Sequence, residues 1–287
     1  MTQGADDHDD RGDALLTLQE AADRLKVHYM TAYRWVRRGD LPAFKAGGRL
    51  RVRAGDLEEF LQARQVDVTA PSDGGGTDWA THVDALHRLL LAGDRAEAGA
   101  LVRKVIADGA PVGDVYVRLL TPVMHRIGDD WVEGRISVAE EHRATEIVSG
   151  LVARLGDQFR RRGPSRGVAV TLTPPGDHHA LGATMASDFL RGGGWDVHQL
   201  GANVPVEDLR TFLQIVPAEL VCASVTRPDL ERELLERLRD VVVETTGRPP
   251  VLGGQGVTAA LAEELGVRYV ASLEDLLSGP ELVGGPS

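Results

Sequence analysis

Apolar and polar positions change rhythm along the chain. From Thr17, apolar residues recur at helical spacing: Ala21, Ala22 and Leu25, then Ala32, Trp35 and Val36. This predicts two short helices. In the first, Thr17-Leu18-Gln19-Glu20 lets Thr17 cap while Glu20 answers three residues on. The second runs from about His28 to Arg38 and stops at Gly39. LPAFKAGGRLRV follows, with Gly47-Gly48 between two short extended runs, a hairpin pattern. Between 79 and 160 the period stays helical, predicting helices at about 79–92, 94–109, 113–131 and 137–160. Ile147, Leu151 and Leu155 make a core stripe on the last, which a capping box at Ser137-Val138-Ala139-Glu140 opens. Short connections predict an up-and-down four-helix bundle. Beyond 166, strand-like runs at 168–172, 195–200, 219–224, 250–252 and 267–270 alternate with helical stretches near 180–191, 206–215, 229–243 and 257–265. Such β–α alternation predicts a doubly wound parallel sheet, which binds ligands beyond the carboxyl ends of its strands.

Pro, Ser, Asp and three consecutive glycines at 66–78 read as a flexible linker. Gly and Pro in RRRGPSRG, residues 160–167, would stop a helix, and the tail GPELVGGPS is expected to fray. The expected organisation is therefore 1–65, a linker at 66–78, then 79–162 and 166–280, a multidomain α and α/β chain. The 287 residues are 43% hydrophobic and 26% charged, an ordinary globular composition. No apolar run approaches the roughly 18–20 residues that cross a bilayer, so no membrane partner is expected. The acidic, polar MTQGADDHDDRGDA does not read as a targeting peptide, and the expected location is the cytoplasm. A single cysteine, Cys222, excludes an intrachain disulfide and a Cys-rich metal site, and reads as a buried strand residue.

The net charge of −11 argues against a chain that binds nucleic acid over its whole surface. Charge is nevertheless segregated. Between Thr17 and Leu61 stand nine Lys/Arg against six Asp/Glu. On the second helix, His28, Tyr29, Thr31, Arg34 and Arg37 fall largely opposite the apolar face, and Arg49 and Arg51 lie in the hairpin. Phosphate binding needs such local charge, and base reading needs a helix that fits the major groove. A small helical domain with solvated arginines would show the same residues. The run LTLQEAADRLKVHYMTAYRWVRRGDLPAFKAGGRLRV closely resembles the excisionase-type winged helix-turn-helix, a relative of MerR DNA-binding domains. That resemblance implies that the seven residues named above contact DNA.

In the bundle, Trp131 ends the third helix while Glu141 and His142 open the fourth, so a short connection places all three at one end. They could line a ligand pocket. On spacing alone they equally describe a Trp plug beside a helix N-terminus, where Glu is favoured by the dipole. After the first strand of the last segment comes Asp177-His178-His179-Ala180-Leu181-Gly182, the pattern D-x-H-x-x-G, which an ordinary polar loop could also carry. It resembles the cobalamin-binding motif of methionine synthase and the cobalamin mutases, with a Rossmann-like (flavodoxin-like) fold. The resemblance implies that His179 is the lower ligand of cobalt, that Asp177 holds its other ring nitrogen, and that Gly182 admits the cofactor's nucleotide tail. His178 has the right chemistry but the wrong register. Ser224 and Thr226 at the end of the third strand, and Gly253-Gly254 at the end of the fourth, would line the tail's slot. Thr226 departs from the commonest family pattern, S-x-L.

A helical cap before a cobalamin domain resembles the corrinoid module of methionine synthase, which corrinoid methyl carriers share. With a DNA-binding module in front, the chain resembles the CarH/LitR photoreceptor regulators, whose cap carries W-x9-E-H, matched here by Trp131 and Glu141-His142. This implies a non-enzyme in which Trp131 covers the upper corrin face and Glu141 and His142 lie near the adenosyl group of adenosylcobalamin. It further implies a homo-oligomer, a tetramer in the dark, that holds operator DNA as a repressor until light cleaves the cobalt–carbon bond. Val132 stands where the best-known members carry a His that ligates cobalt after photolysis. Two alternatives stay open: a corrinoid methyl carrier and a light-independent cobalamin-sensing repressor.

Overall fold

A computed structural model describes residues 14–25, 29–37, 39–46, 49–62, 77–159 and 163–276. His28, Gly47-Gly48, most of the linker at 66–78, part of the break at 160–167 and the whole of the tail lie outside the described residues. The Cα positions fall into two compact units, residues 1–76 with 128–137, and residues 77–127 with 138–287.

In the first unit, α1 (Leu18–Arg24) opens with the predicted capping box: the Glu20 amide donates to Thr17 Oγ1 at 3.0 Å and the Thr17 amide to Glu20 Oε2 at 2.7 Å. Helix α2 (Tyr29–Arg37) buries Ala32 and packs Trp35 and Val36 against the same core. The hairpin forms as β2 (Phe44–Ala46) paired antiparallel with β3 (Arg49–Arg53). Two elements escaped the sequence reading. One is β1 (Leu15–Thr17), which pairs with β3's other edge and is too short to show alternation. The other is α3 (Ala54–Gln62), which sends Leu57 and Phe60 into the core, with Phe60 4.9 Å from the Trp35 ring.

The bundle begins with α4 (Trp79–Ala92) and α5 (Arg95–Ala107). The third predicted helix is a short α6 (Val112–Asp114), a π-turn (Val115–Leu120) and α7 (Thr121–Val132). The wider turn buries Val115, Tyr116, Leu119 and Leu120 together, and sets the Tyr116 hydroxyl 2.9 Å from Asp188 Oδ2 and 3.1 Å from Val152 O, the two acceptors for its one hydrogen. The fourth, α8 (Val138–Leu155), stops before the predicted 160, and a 3-10 turn (Gly156–Phe159) sets the Phe159 ring 4.8 Å from Tyr116. Ile147, Leu151 and Leu155 are buried as expected.

The sheet strands are β4 (Val168–Leu172), β5 (Asp196–Gly201), β6 (Leu220–Ser224), β7 (Val251–Gly253) and β8 (Arg268–Val270), all parallel, in the order β5-β4-β6-β7-β8. One face packs against α10 (Val206–Ile215), α11 (Arg232–Thr246) and α12 (Ala259–Leu265) through Leu209, Leu238 and Leu265 among others. On the other lies α9 (Ala180–Gly192), where the Thr171 and Ser187 hydroxyls meet at 2.7 Å. Cys222 is buried in β6. Because the chain leaves β4 first for β5 and later for β6, the crevice at this sheet's switch point opens between the carboxyl ends of β4 and β6. Among the described residues, no helix is long and apolar enough to cross a membrane.

Candidate cobalamin and DNA sites

The crevice is built around one buried carboxylate. Asp177, fully buried, sits in the loop from β4 to α9, and His179 is the N-cap residue of α9. Asp177 Oδ1 meets the His179 ring at Nδ1, 2.7 Å away, and accepts the His179 amide at 3.0 Å. Its other oxygen, Oδ2, accepts the amides of Thr226 at 2.6 Å and Arg227 at 3.3 Å, just past the end of β6. One side chain thus ties the two strand ends together. Burial by itself would raise the Asp177 pKa, but the hydrogen bonds from the His179 ring and from the Thr226, His179 and Arg227 amides hold the carboxyl below its ordinary value. The same bond to Asp177 raises the pKa of His179 against the opposing effect of burial, and the charge of Glu141 on α8 adds to the rise. With Nδ1 held as the donor, the half-exposed ring keeps Nε2 for a metal, the arrangement in which a carboxylate fixes tautomer and orientation. His178 is exposed beside it.

Around this pair the backbone comes close. A methyl group on Gly182 would lie 2.5 Å from Ser224 Oγ, so that α9 and β6 face each other with only a hydroxyl between them. Gly254, at φ +101°, would drive a Cβ to within 2.4 Å of Val225 O, and a Cβ on Gly253 would come within 2.7 Å of the Val270 side chain. Gly182 and Ser224 thus meet between α9 and the end of β6, whereas Gly253 packs against β8 and Gly254 against the backbone just past β6. Thr226 contributes its backbone amide to Asp177, a role its side-chain type did not announce. Three contributors were missed: Thr173, Asn203 and Arg227. Arg227 donates to Gly176 O at 3.0 Å and pairs with Asp229. Nothing in a single sequence marks them, because their partners lie up to 51 residues away.

On the helical side, Glu141 Oε2 lies 3.6 Å from His142 Nε2 and its Oε1 accepts the Thr145 hydroxyl at 2.8 Å. Trp131 is 46% exposed in the last turn of α7 and falls in the first unit, while Glu141 and His142 fall in the second. The end of α7 is closed by Gly134, at φ +71°: its amide donates to Trp131 O at 2.9 Å, and the Arg135 amide donates to Asp130 O at 2.8 Å. The Arg135 guanidinium then grips the buried Asp130 carboxylate through Nε and Nη2, at 2.8 and 2.5 Å, and pairs with Glu133. The turn that carries Trp131 is thereby pinned on both sides.

In the N-terminal module, α2 carries Tyr29, Thr31, Arg34 and Arg37, and the Arg37 side chain is exposed. Arg49, Arg51 and Arg53 occupy alternate positions of β3 and so share one face of the hairpin. Arg53, counted among the nine cations of this segment but not assigned to DNA from the sequence, stacks on the exposed Phe44 ring at 4.6 Å.

Comparison with known proteins finds three matching stretches of the chain. Residues 15–65 match the helix-turn-helix domain family, and residues 83–155 and 167–275 match two families, each described as a B12 binding domain. The chain joins a helix-turn-helix domain to B12-binding domains. It is similar to the HTH-type transcriptional repressor CarA of Myxococcus xanthus, 29% identical over 185 residues, which make up 63% of this chain and 62% of CarA. The matched stretch is thus less than two thirds of that relative. CarH, a second HTH-type transcriptional repressor of Myxococcus xanthus, is 26% identical over 76% of this chain and 74% of its own length. In fold, the B12-binding part resembles the monomethylamine corrinoid protein of Methanosarcina barkeri. That match has a TM-score of 0.59 and 19% identity, over 69% of this chain and 96% of the other.

Proposed function

We propose that this protein is a cobalamin-binding transcriptional regulator that works in the cytoplasm. In this reading 1–65 contacts operator DNA, 79–162 is the cap over the cofactor, and 166–280 holds cobalamin. The observation that carries it is the Asp177–His179 pair at the switch point of a parallel sheet, on a chain that also holds a helix-turn-helix domain. The residues present fit the cofactor. His179 offers Nε2 to cobalt, Asp177 fixes the ring, and Gly182, Ser224, Thr226, Gly253 and Gly254 are the residues that would line the slot of the nucleotide tail. Bound as adenosylcobalamin, the cofactor would supply a cobalt–carbon bond that light cleaves. The protein's part is to hold Trp131, Glu141 and His142 against the upper ligand, so that removing that ligand changes the balance between one assembly, a tetramer, and another. Val132 has no side-chain donor atom, so a nitrogen ligand from the cap would have to come from another residue, such as His142.

Sizing the adenosylcobalamin-loaded protein in darkness and after green light tests this reading. A larger assembly is expected in the dark and a smaller one after light, with methylcobalamin giving a weaker contrast. Trp131→Ala should blunt the contrast while His179 ligation persists. An assembly state that ignores both light and the upper ligand would favour the light-independent repressor.

A separate expectation concerns DNA. Replacing Arg49 and Arg51 with Ala should weaken binding to a duplex selected from a random pool. The salt slope should fall by about one for each phosphate that is no longer neutralised. Replacing Arg34 and Arg37 should weaken binding as well, and cobalamin uptake should survive both changes. Retention assays across a salt series read the outcome, and wild-type affinity in both double variants would remove the first module as the reader.

A further inference from the structure

Asn203 follows β5 and is, among the described residues, the only non-glycine residue with positive φ, at 55°. Asn enters this left-handed region more readily than other side chains, and an observed outlier of this kind invites a functional explanation. Its bonds supply one. The Asn203 amide donates to Asp177 O at 3.0 Å and to the Thr173 hydroxyl at 2.9 Å, and its Oδ1 accepts the Gly176 amide at 2.8 Å. The fully buried Thr173 hydroxyl in turn donates to Asp177 O. A single residue therefore grips the turn on both sides, at Gly176 and at Asp177. The left-handed backbone is what allows amide and side chain to face the same turn. Asp177 then carries the constraint onward, through Oδ1 to His179 and through Oδ2 to Thr226 and Arg227.

We propose that Asn203 is a positioning residue that fixes the Asp177–His179 pair from the neighbouring strand, so that His179 is presented to cobalt in one orientation. This rests on the cobalamin reading above. Asn203 need not touch the cofactor; it acts through the loop. A ligand held on a preset loop gives up less freedom on binding than one on a mobile loop, which is why the effect should appear in the ligated fraction as well as in affinity.

The test uses Asn203→Gly in the full chain, since glycine keeps positive φ and removes only the side-chain acceptor. In the cobalamin-free protein, amide exchange at Gly176 should rise by about tenfold while β6 amides keep their wild-type rates. At saturating hydroxocobalamin, the visible spectrum should show a smaller His-ligated fraction than wild type. Wild-type exchange at Gly176 together with a wild-type ligated fraction would overturn the role of Asn203. A wild-type protein that takes up no hydroxocobalamin would instead overturn the cobalamin reading, and the exchange result would still judge the grip on the turn.

Discussion

Replacing His179 with Ala should abolish the spectrum of histidine-ligated cobalamin and lower affinity for the cofactor on the order of 100-fold. The geometry makes the loss specific. The His179 ring is oriented by a buried carboxylate 2.7 Å away, whereas His178, one residue earlier, is exposed. A neighbouring imidazole cannot take over, because Asp177 also holds the His179 amide and so fixes which residue faces the crevice. His178→Ala should keep the wild-type spectrum and an affinity within about threefold of it, a difference of roughly 0.7 kcal/mol at most. Absorbance titration of the two variants side by side decides the register. Equal losses in both would overturn the assignment of His179 over His178, and no loss in either would mean that cobalt is not held by this loop.

Gly254→Ala should produce the largest loss of stability among single small substitutions around the crevice. Two costs combine. A φ of +101° is strained for any residue with a Cβ, and the added carbon would lie 2.4 Å from Val225 O, which belongs to the backbone and cannot rotate away. Val225 is itself anchored: its amide donates to Gly253 O and its carbonyl accepts the Gly256 amide, both at 2.8 Å. Strain and overpacking together are expected to cost about 2–5 kcal/mol. Because Thr226 follows immediately and donates to Asp177, cobalamin affinity should fall as well. Gly247→Ala is the control. It has a comparable positive φ of +73° at the end of α11, but nothing lies within 4 Å of its added carbon, so it should cost only about 1–2 kcal/mol. Thermal unfolding of both variants separates the clash from the strain. Equal melting temperatures would show that the backbone around Val225 yields.

The sequence by itself carried a good part of this structure. A period of 3.6 in the bundle and β–α alternation after 166 depend only on which face of each element is apolar, so element type was legible, along with most boundaries to within a few residues. The Asp177–His179 pairing was legible through the resemblance to the cobalamin-binding motif rather than through periodicity. The two residues are two apart on one loop, and a short-range motif carries its own geometry. Where boundaries failed, a distant contact was responsible: α8 yields to a 3-10 turn where Phe159 joins Tyr116 and Phe189, and α11 starts at Arg232, after Arg227 has reached back to Gly176 O across 51 residues.

What only the tertiary structure decided is who completes the site. The amides of Thr226 and Arg227 reach Asp177 across 49 and 50 residues, Asn203 grips Gly176 across 27, and the Tyr116 hydroxyl meets Asp188 across 72. These partners are ordinary residue types with no local pattern. They are selected by the order of the strands and the register of β4 between β5 and β6, which bring the ends of three strands to one crevice. A buried carboxylate needs several donors, and in a parallel sheet those donors come from chain segments that meet only once the sheet has formed.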